Sequence, residues 1–165
     1  MRIFHAGVAL IVLASSVWLV AQRADRTGAA GGTTNQAGRP FTVVNASIAD
    51  LRTALEQRRT TSRAIVTEYL TRIAYYGDQL HATLAVNRQA LAEADERDRE
   101  RRAGRLRGPL HGIPVALKDN IHTTTMPTTG GALAFAGFTP PYDATVTKRL
   151  RDAGAIILAK TTMTE

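Results

Sequence analysis

The chain begins with an apolar run, Ala6 to Ala21, with Arg2 before it and Arg23 and Arg26 after it. Thr27 to Pro40 then shows no hydrophobic period and is rich in Gly, Thr and Ala. Helical spacing begins at Ile48, Leu51 and Leu55, with Ser47 placed to cap the helix and Asp50 three residues on. A second helix is predicted from Ser62 to Tyr76, capped by Thr61 and stopped at Gly77. Ile65, Tyr69, Ile73 and Tyr76 share one of its faces, and Leu70 adds to it. His81 to Asn87 is short, apolar and extended. Asn87 caps a third helix, Arg88 to Ala103, which Gly104 ends. Ile113 to Leu117 reads as an apolar strand, and the Thr-, Gly- and Pro-rich stretch from Asp119 to Pro141 as loop. Asp143 caps a fourth helix, Ala144 to Ala153, with Val146 and Leu150 facing inward and Gly154 as its stop. Ala155 to Lys160 is a second buried strand.

These patterns divide the chain into three. Residues 1–26 have the layout of a secretory signal peptide. At ~1.5 Å per residue, the stretch from Ala6 to Ala21 falls short of a ~30 Å hydrocarbon core. Ala21 suits the position before a cleavage, but Leu19 is large for the position two before it, so an uncleaved N-terminal anchor is the alternative. Residues 27–40 form a flexible linker. Residues 41–165 carry the folded portion, where strand, loop, helix and strand make an α/β unit. Thr161 to Glu165 stop without cap or turn, and a longer domain is expected to continue from them. Asn45-Ala46-Ser47 matches the N-glycosylation triplet but reads better as a helix start.

Charge and composition narrow the function. The chain has no cysteine, which removes disulfides, thiolate metal sites and a cysteine nucleophile. The formal charge is +7, of which four arginines and one aspartate up to Arg39 account for +3. The +4 left on the remainder fits a soluble surface rather than a nucleic-acid footprint. In "EADERDRERRAGRLR", Glu93–Arg97, Asp95–Arg99 and Asp98–Arg102 stand at i,i+4 with the acid first, which predicts a solvated, salt-bridged helix face. No aromatics are interleaved for base stacking. Both features oppose a contrasting reading, a secreted basic binding module for anionic surfaces.

Lys118 is the residue with candidate chemistry. It follows the apolar strand directly, where a buried amine loses its proton more readily than one in water. Such an amine is a competent general base and can deprotonate a serine hydroxyl, directly or through a second hydroxyl. The plain alternative is a strand-end lysine that reaches water, and Lys160 repeats the same pattern. His111 and His122 flank the strand without metal-ligand spacing, and His111 reads as a satisfied turn histidine. Gly130-Gly131 belongs to no phosphate-binding fingerprint. Asp143 is a cap before it is a catalyst.

The runs "GPLHGIPVALKDNI", "MPTTGGALAFAGF" and "PPYDATVTKRLRDAGAIILAKTTMTE" resemble the amidase signature family. The likeness covers about Ala46 to Glu165 and is most specific around Lys118-Asp119-Asn120. It implies the N-terminal part of the amidase signature fold, a mixed β-sheet core covered by helices. It also implies hydrolysis of a carboxamide by a serine–serine–lysine triad with Lys118 as the base, with no cofactor and no metal. In that family the lysine acts through a bridging serine on a nucleophilic serine, and backbone amides stabilise the oxyanion. Both serines are expected beyond Glu165, because no Gly-Ser-Ser-Gly run occurs in the chain. The 165-residue piece alone is therefore expected to be inactive and, with open strand edges, prone to aggregate. His122 stands where the family commonly carries Asp, and Thr162 where it often carries Asn. The expected partner is a small-molecule amide rather than nucleic acid, and any membrane contact is confined to residues 6–21. Periplasmic or extracellular export, or membrane anchoring, follows from that segment. An amidotransferase-type subunit or a non-catalytic pseudo-amidase are the alternatives, and the apolar N-terminus opposes the first.

Overall fold

The computed structural model describes residues 41–163. The expected signal or anchor segment (1–26) and linker (27–40) lie outside the described residues. Four helices and three strands follow in order: α1 Ile48–Glu56, α2 Ser62–Leu80, β1 Thr83–Val86, α3 Ala90–Arg102, β2 Pro114–Lys118, α4 Thr145–Asp152 and β3 Ile156–Thr161. A short 3-10 turn, Leu133–Phe135, interrupts the long loop.

The sheet has the order β1-β3-β2, with β1 antiparallel and β2 parallel to the central β3. The β2–loop–α4–β3 crossover is the α/β unit expected from the sequence. The extended segment before Asn87 adds the antiparallel strand. β3 is buried along nearly its whole length, from Ile156 to Lys160. Ile156 and Leu158 pack with Val66 of α2 and Ala90 and Ala94 of α3. Ile157 packs on the other side with Leu117, Met126 and Leu150. A third cluster, Val43, Leu51, Leu55, Ile65 and Ile113, joins α1 to α2 and the entry of β2.

Strand register decides which face Lys160 meets. Val115 stands opposite Ile157 but Ala116 opposite Ala159, so Leu158 is an extra residue, a β-bulge. Leu158 and Ala159 therefore both meet the α2–α3 layer. Strict alternation would send Lys160 to that same apolar layer. The bulge turns it to the opposite face, beside the loop after β2.

Several local expectations hold. Ser47 and Asp50 form the reciprocal capping box, and Thr61 caps α2 through the Ala64 amide. Others are corrected by tertiary contacts. α2 runs through Gly77, where an added Cβ would meet nothing within 4 Å, and ends where His81 takes a left-handed conformation (φ 46°). α3 begins at Ala90; the Asn87 side chain accepts from the Gln89 amide, and its own amide donates to Ile157 O at 2.8 Å, anchoring the loop to β3. Asp143 does not cap α4 but accepts from the Thr124 amide and from Arg151 Nε. Thr147, not Val146, is the buried residue of α4; Val146 is 47% exposed and Ile48 55%.

The charged face of α3 departs most from expectation. Arg97, Asp98 and Glu100 are buried, and the i,i+4 pairs do not form. Asp98 accepts the Ser62 and Arg63 amides, so it caps α2 from another helix. Asp95 pairs with Arg63 and Glu93 with Arg151. Glu100 joins Arg97 to Arg107, and the bond from Arg107 holds its carboxyl below the usual carboxylate range against the effect of burial. Unpaired backbone donors at a buried helix start outcompete neighbouring side chains on a solvated face.

Gly154 closes α4 with φ 88°, and a Cβ there would sit 2.7 Å from His111 Cα. Gly154→Ala is expected to lower stability by about 3 kcal/mol through combined backbone strain and overpacking, read by urea denaturation.

Candidate active site

β2 delivers Lys118 at its last position, paired in register with Thr161. Lys118 is half-buried, and its Nζ donates to Thr162 O at 2.7 Å. Among the described residues no carboxylate lies within ion-pair distance of it. The deep burial expected of this lysine is not observed. It belongs to Lys160, which has 0% exposure. The physical reason is position: among the described residues Lys118 ends an outer strand of the sheet, whereas Lys160 lies inside the central one.

Successive residues of a strand face opposite sides. Leu117 and Lys160 are register partners on the loop side, while Lys118 points the other way. The Lys160 ammonium meets Thr128 Oγ1 at 2.8 Å, Pro127 O at 3.2 Å, Asp119 O at 3.3 Å and the Asp119 carboxylate at 3.4 Å. The second carboxylate oxygen of Asp119 accepts from the Thr129 amide at 3.0 Å and from the Thr129 hydroxyl. Burial pushes the Lys160 amine below its ordinary value, and Asp119 opposes that push. Burial likewise pushes the Asp119 carboxyl up, but the Thr129 hydroxyl and amide, with the Lys160 charge, hold it below the ordinary value.

Sequence reasoning puts Asp119 in a turn and gives Lys160 no chemical role, so it misses this cluster. One signal is present: a lysine followed by Thr161 inside an otherwise unbroken apolar strand needs an acid across the sheet. The Thr-rich loop is held by its hydroxyls. Arg151 donates to Thr123 and Thr125, and the Thr128 amide donates to Phe138 O.

The remaining candidates take structural places. His122 uses its backbone oxygen to accept from the Thr147 hydroxyl and the Ala144 amide, and its ring lies 5.2 Å from that of Tyr142. Thr162 serves Lys118 through its carbonyl, a group any residue supplies, so its difference from the commoner Asn does not cost this contact. His111 is buried, with Nδ1 accepting from the Arg107 amide and Nε2 donating to Arg97 O. Of the chain's serines, Ser47 caps α1 and Ser62 begins α2, while Ser15 and Ser16 lie outside the described residues. Among the described residues no cluster of three or more His, Asp or Glu could hold a metal ion. A cleft of about 690 Å³ is lined by Leu55, Arg58, Asp98 and Arg101 and does not include Lys118.

Residues 64–165 match the Amidase family model, and the chain belongs to that amidase signature family. It is 46% identical over 120 residues to a glutamyl-tRNA(Gln) amidotransferase subunit of Thermobifida fusca, covering 72% of this chain and 24% of that protein. A probable amidase of Arabidopsis thaliana is 41% identical over 128 residues, covering 76% and 25%. The crystal structure of native peptide amidase from Stenotrophomonas maltophilia superposes with a TM-score of 0.71 at 49% identity, covering 74% of this chain and 26% of that one. The chain thus spans about a quarter of the length of these relatives. The fold class expected from the sequence, a mixed sheet with helices in the amidase signature fold, is observed.

His111 yields a pH prediction. Burial holds its pKa below the ordinary 6.5, the bond to Arg97 O and the Glu100 charge opposing and the Arg101 and Arg97 charges adding. The unfolded chain therefore takes up the proton first as the pH falls. The stability contributed is full above about 6.5 and is lost as the pH drops through the folded value. Urea midpoints should decline between about pH 7 and pH 5, and His111→Gln should flatten that decline while costing about 1–3 kcal/mol at pH 7.

Proposed function

We propose that this chain supplies the lysine-bearing N-terminal portion of an exported amidase that cleaves a carboxamide C–N bond by a serine–serine–lysine mechanism. The observation that carries the reading is the contrast between Lys118, at the end of its strand, and Lys160, inside the central one. Lys160 has its donors consumed by Asp119, Thr128 and Pro127 and has no solvent contact. Lys118 spends one donor on Thr162 O and, among the described residues, has no carboxylate within ion-pair distance. An amine with donors left over can exchange a proton with a hydroxyl, which supports Lys118 as the base.

In the proposed reaction the Lys118 amine receives a proton from a bridging serine, which takes one from the nucleophilic serine. The nucleophile's oxygen attacks the amide carbonyl. The C–N bond breaks as the proton passes to the leaving nitrogen, and water then hydrolyses the acyl ester. Both serines are assigned to residues that follow Glu165 in the full-length gene product, since no Gly-Ser-Ser-Gly run occurs in the chain and, among the described residues, Ser47 and Ser62 serve helix starts. Export rests on residues 1–26.

A second reading, an amidotransferase-type subunit, is supported by the identity to the Thermobifida fusca protein. The apolar segment from Ala6 to Ala21 opposes it. A non-catalytic relative is the third reading.

Lys118→Ala in the full-length gene product should lower kcat/KM for amide hydrolysis at least about 1000-fold with the far-UV spectrum unchanged. Near-normal rates would remove Lys118 from the mechanism. The 165-residue piece alone should show no turnover. Sequencing the coding DNA past the Glu165 codon should reveal a Gly-Ser-Ser-Gly-type segment; a frame without those serines favours the non-catalytic reading. N-terminal sequencing of the cellular protein should find a periplasmic or secreted chain beginning at Gln22, or a membrane-bound chain that keeps residues 6–21. Cytosolic protein with residues 1–26 intact would defeat export.

A further inference from the structure

We propose that Lys160, through Asp119, is the positioning residue for Lys118. This deepens the proposed amidase function and rests on Lys118 being the base. Among the described residues the Lys118 side chain makes one hydrogen bond, to Thr162 O, and the buried pair brackets both of its ends. Asp119 is the residue after the donor, and Lys160 lies two residues before the acceptor on the neighbouring strand. The Asp119 amide donates to Thr161 O at 3.0 Å, which closes the bracket across the two strands.

The same pair holds the loop beyond. Lys160 fastens Pro127 and Thr128, and Asp119 fastens Thr129 and, through its carbonyl, the Gly130 amide at 3.4 Å. The strand end, the turn after Lys118 and the 127–130 segment are therefore one rigid unit with an ammonium at its centre. Lys160 does not itself reach a substrate, because it has no exposed surface.

Stability alone does not call for this arrangement. Apolar residues of similar volume in place of a buried ion pair are often neutral or stabilising, whereas a buried pair can specify one geometry among several. Here the bulge at Leu158 turns Lys160 away from the apolar α2–α3 layer and onto Asp119. An apolar side chain at 160 could fill the same space but could not select the positions of three carbonyl and hydroxyl oxygens and a carboxylate.

The test compares Lys160→Met and Thr128→Val with the wild type in the full-length gene product. The site-specific rate of acetic anhydride modification of the Lys118 amine is followed across pH by peptide mass spectrometry. Release from Thr162 O should raise that rate about tenfold in Lys160→Met and about twofold in Thr128→Val, and should displace its pH profile, which a purely stabilising role would leave in place. For amide hydrolysis, kcat should fall at least about tenfold with KM within about twofold. Should Lys160→Met fail to fold by circular dichroism, the milder Thr128→Val decides, since it removes a single hydroxyl. Wild-type modification rates and pH profile at Lys118 in whichever of these variants fold overturn the proposal. Retained hydrolysis by Lys118→Ala would instead defeat the base assignment, and it leaves the modification rates to report on the positioning by themselves.

Discussion

An ammonium inside the central strand of a sheet is a severe constraint, and the middle of this fold is arranged around it. Desolvating Lys160 costs several kcal/mol unless charge and hydrogen bonds replace the lost water. Asp119, Thr128 and two backbone carbonyls replace it. Those partners come from the turn after β2 and from the loop beyond it. Satisfying one side chain thus ties together three segments that the chain separates by up to 41 residues. The bulge in β3 makes this possible by changing which face Lys160 meets.

A second charged system does similar work on the other side of the sheet. α3 supplies Asp98 to the N-terminus of α2, and Glu100 to Arg97 and Arg107. Arg101 reaches His111 O, and His111 in turn closes on Arg97 O and the Arg107 amide. The turn that leads into β2 is therefore fixed by polar contacts from α3, with Gly154 allowing α4 to end directly against His111. β2, and with it Lys118, enters the sheet from a braced start and leaves it at a braced end. For the proposed proton transfer, a group held by rigid backbone on both sides is better placed for repeated reaction than one on a free loop.

The two lysines show how similar local sequence leads to different surroundings. Each follows a short apolar run. The edge position leaves Lys118 half-buried with spare donors, and the central position leaves Lys160 with none to spare. The match spans only about a quarter of the relatives' length, so the substrate pocket and the serines are proposed to come from the rest of such a protein.

The order of helices and strands, the caps at Ser47 and Thr61, and the stops at Gly104 and Gly154 were legible in the sequence, because they depend on residues a few positions apart. So was the motif around Lys118, whose likeness to the amidase family needs no coordinates. The end of α2, the partners of the α3 charges, the role of Asp143 and the pairing of Lys160 with Asp119 were decided by the tertiary structure. All but the end of α2 depend on a contact between residues far apart in the chain. Asp98 caps a helix 36 residues away, and Lys160 meets a carbonyl 41 residues away. Local spacing ranks the options for a charged side chain by what lies within a turn or two. Burial then re-ranks them, because a buried donor without a partner costs more than a solvated ion pair is worth.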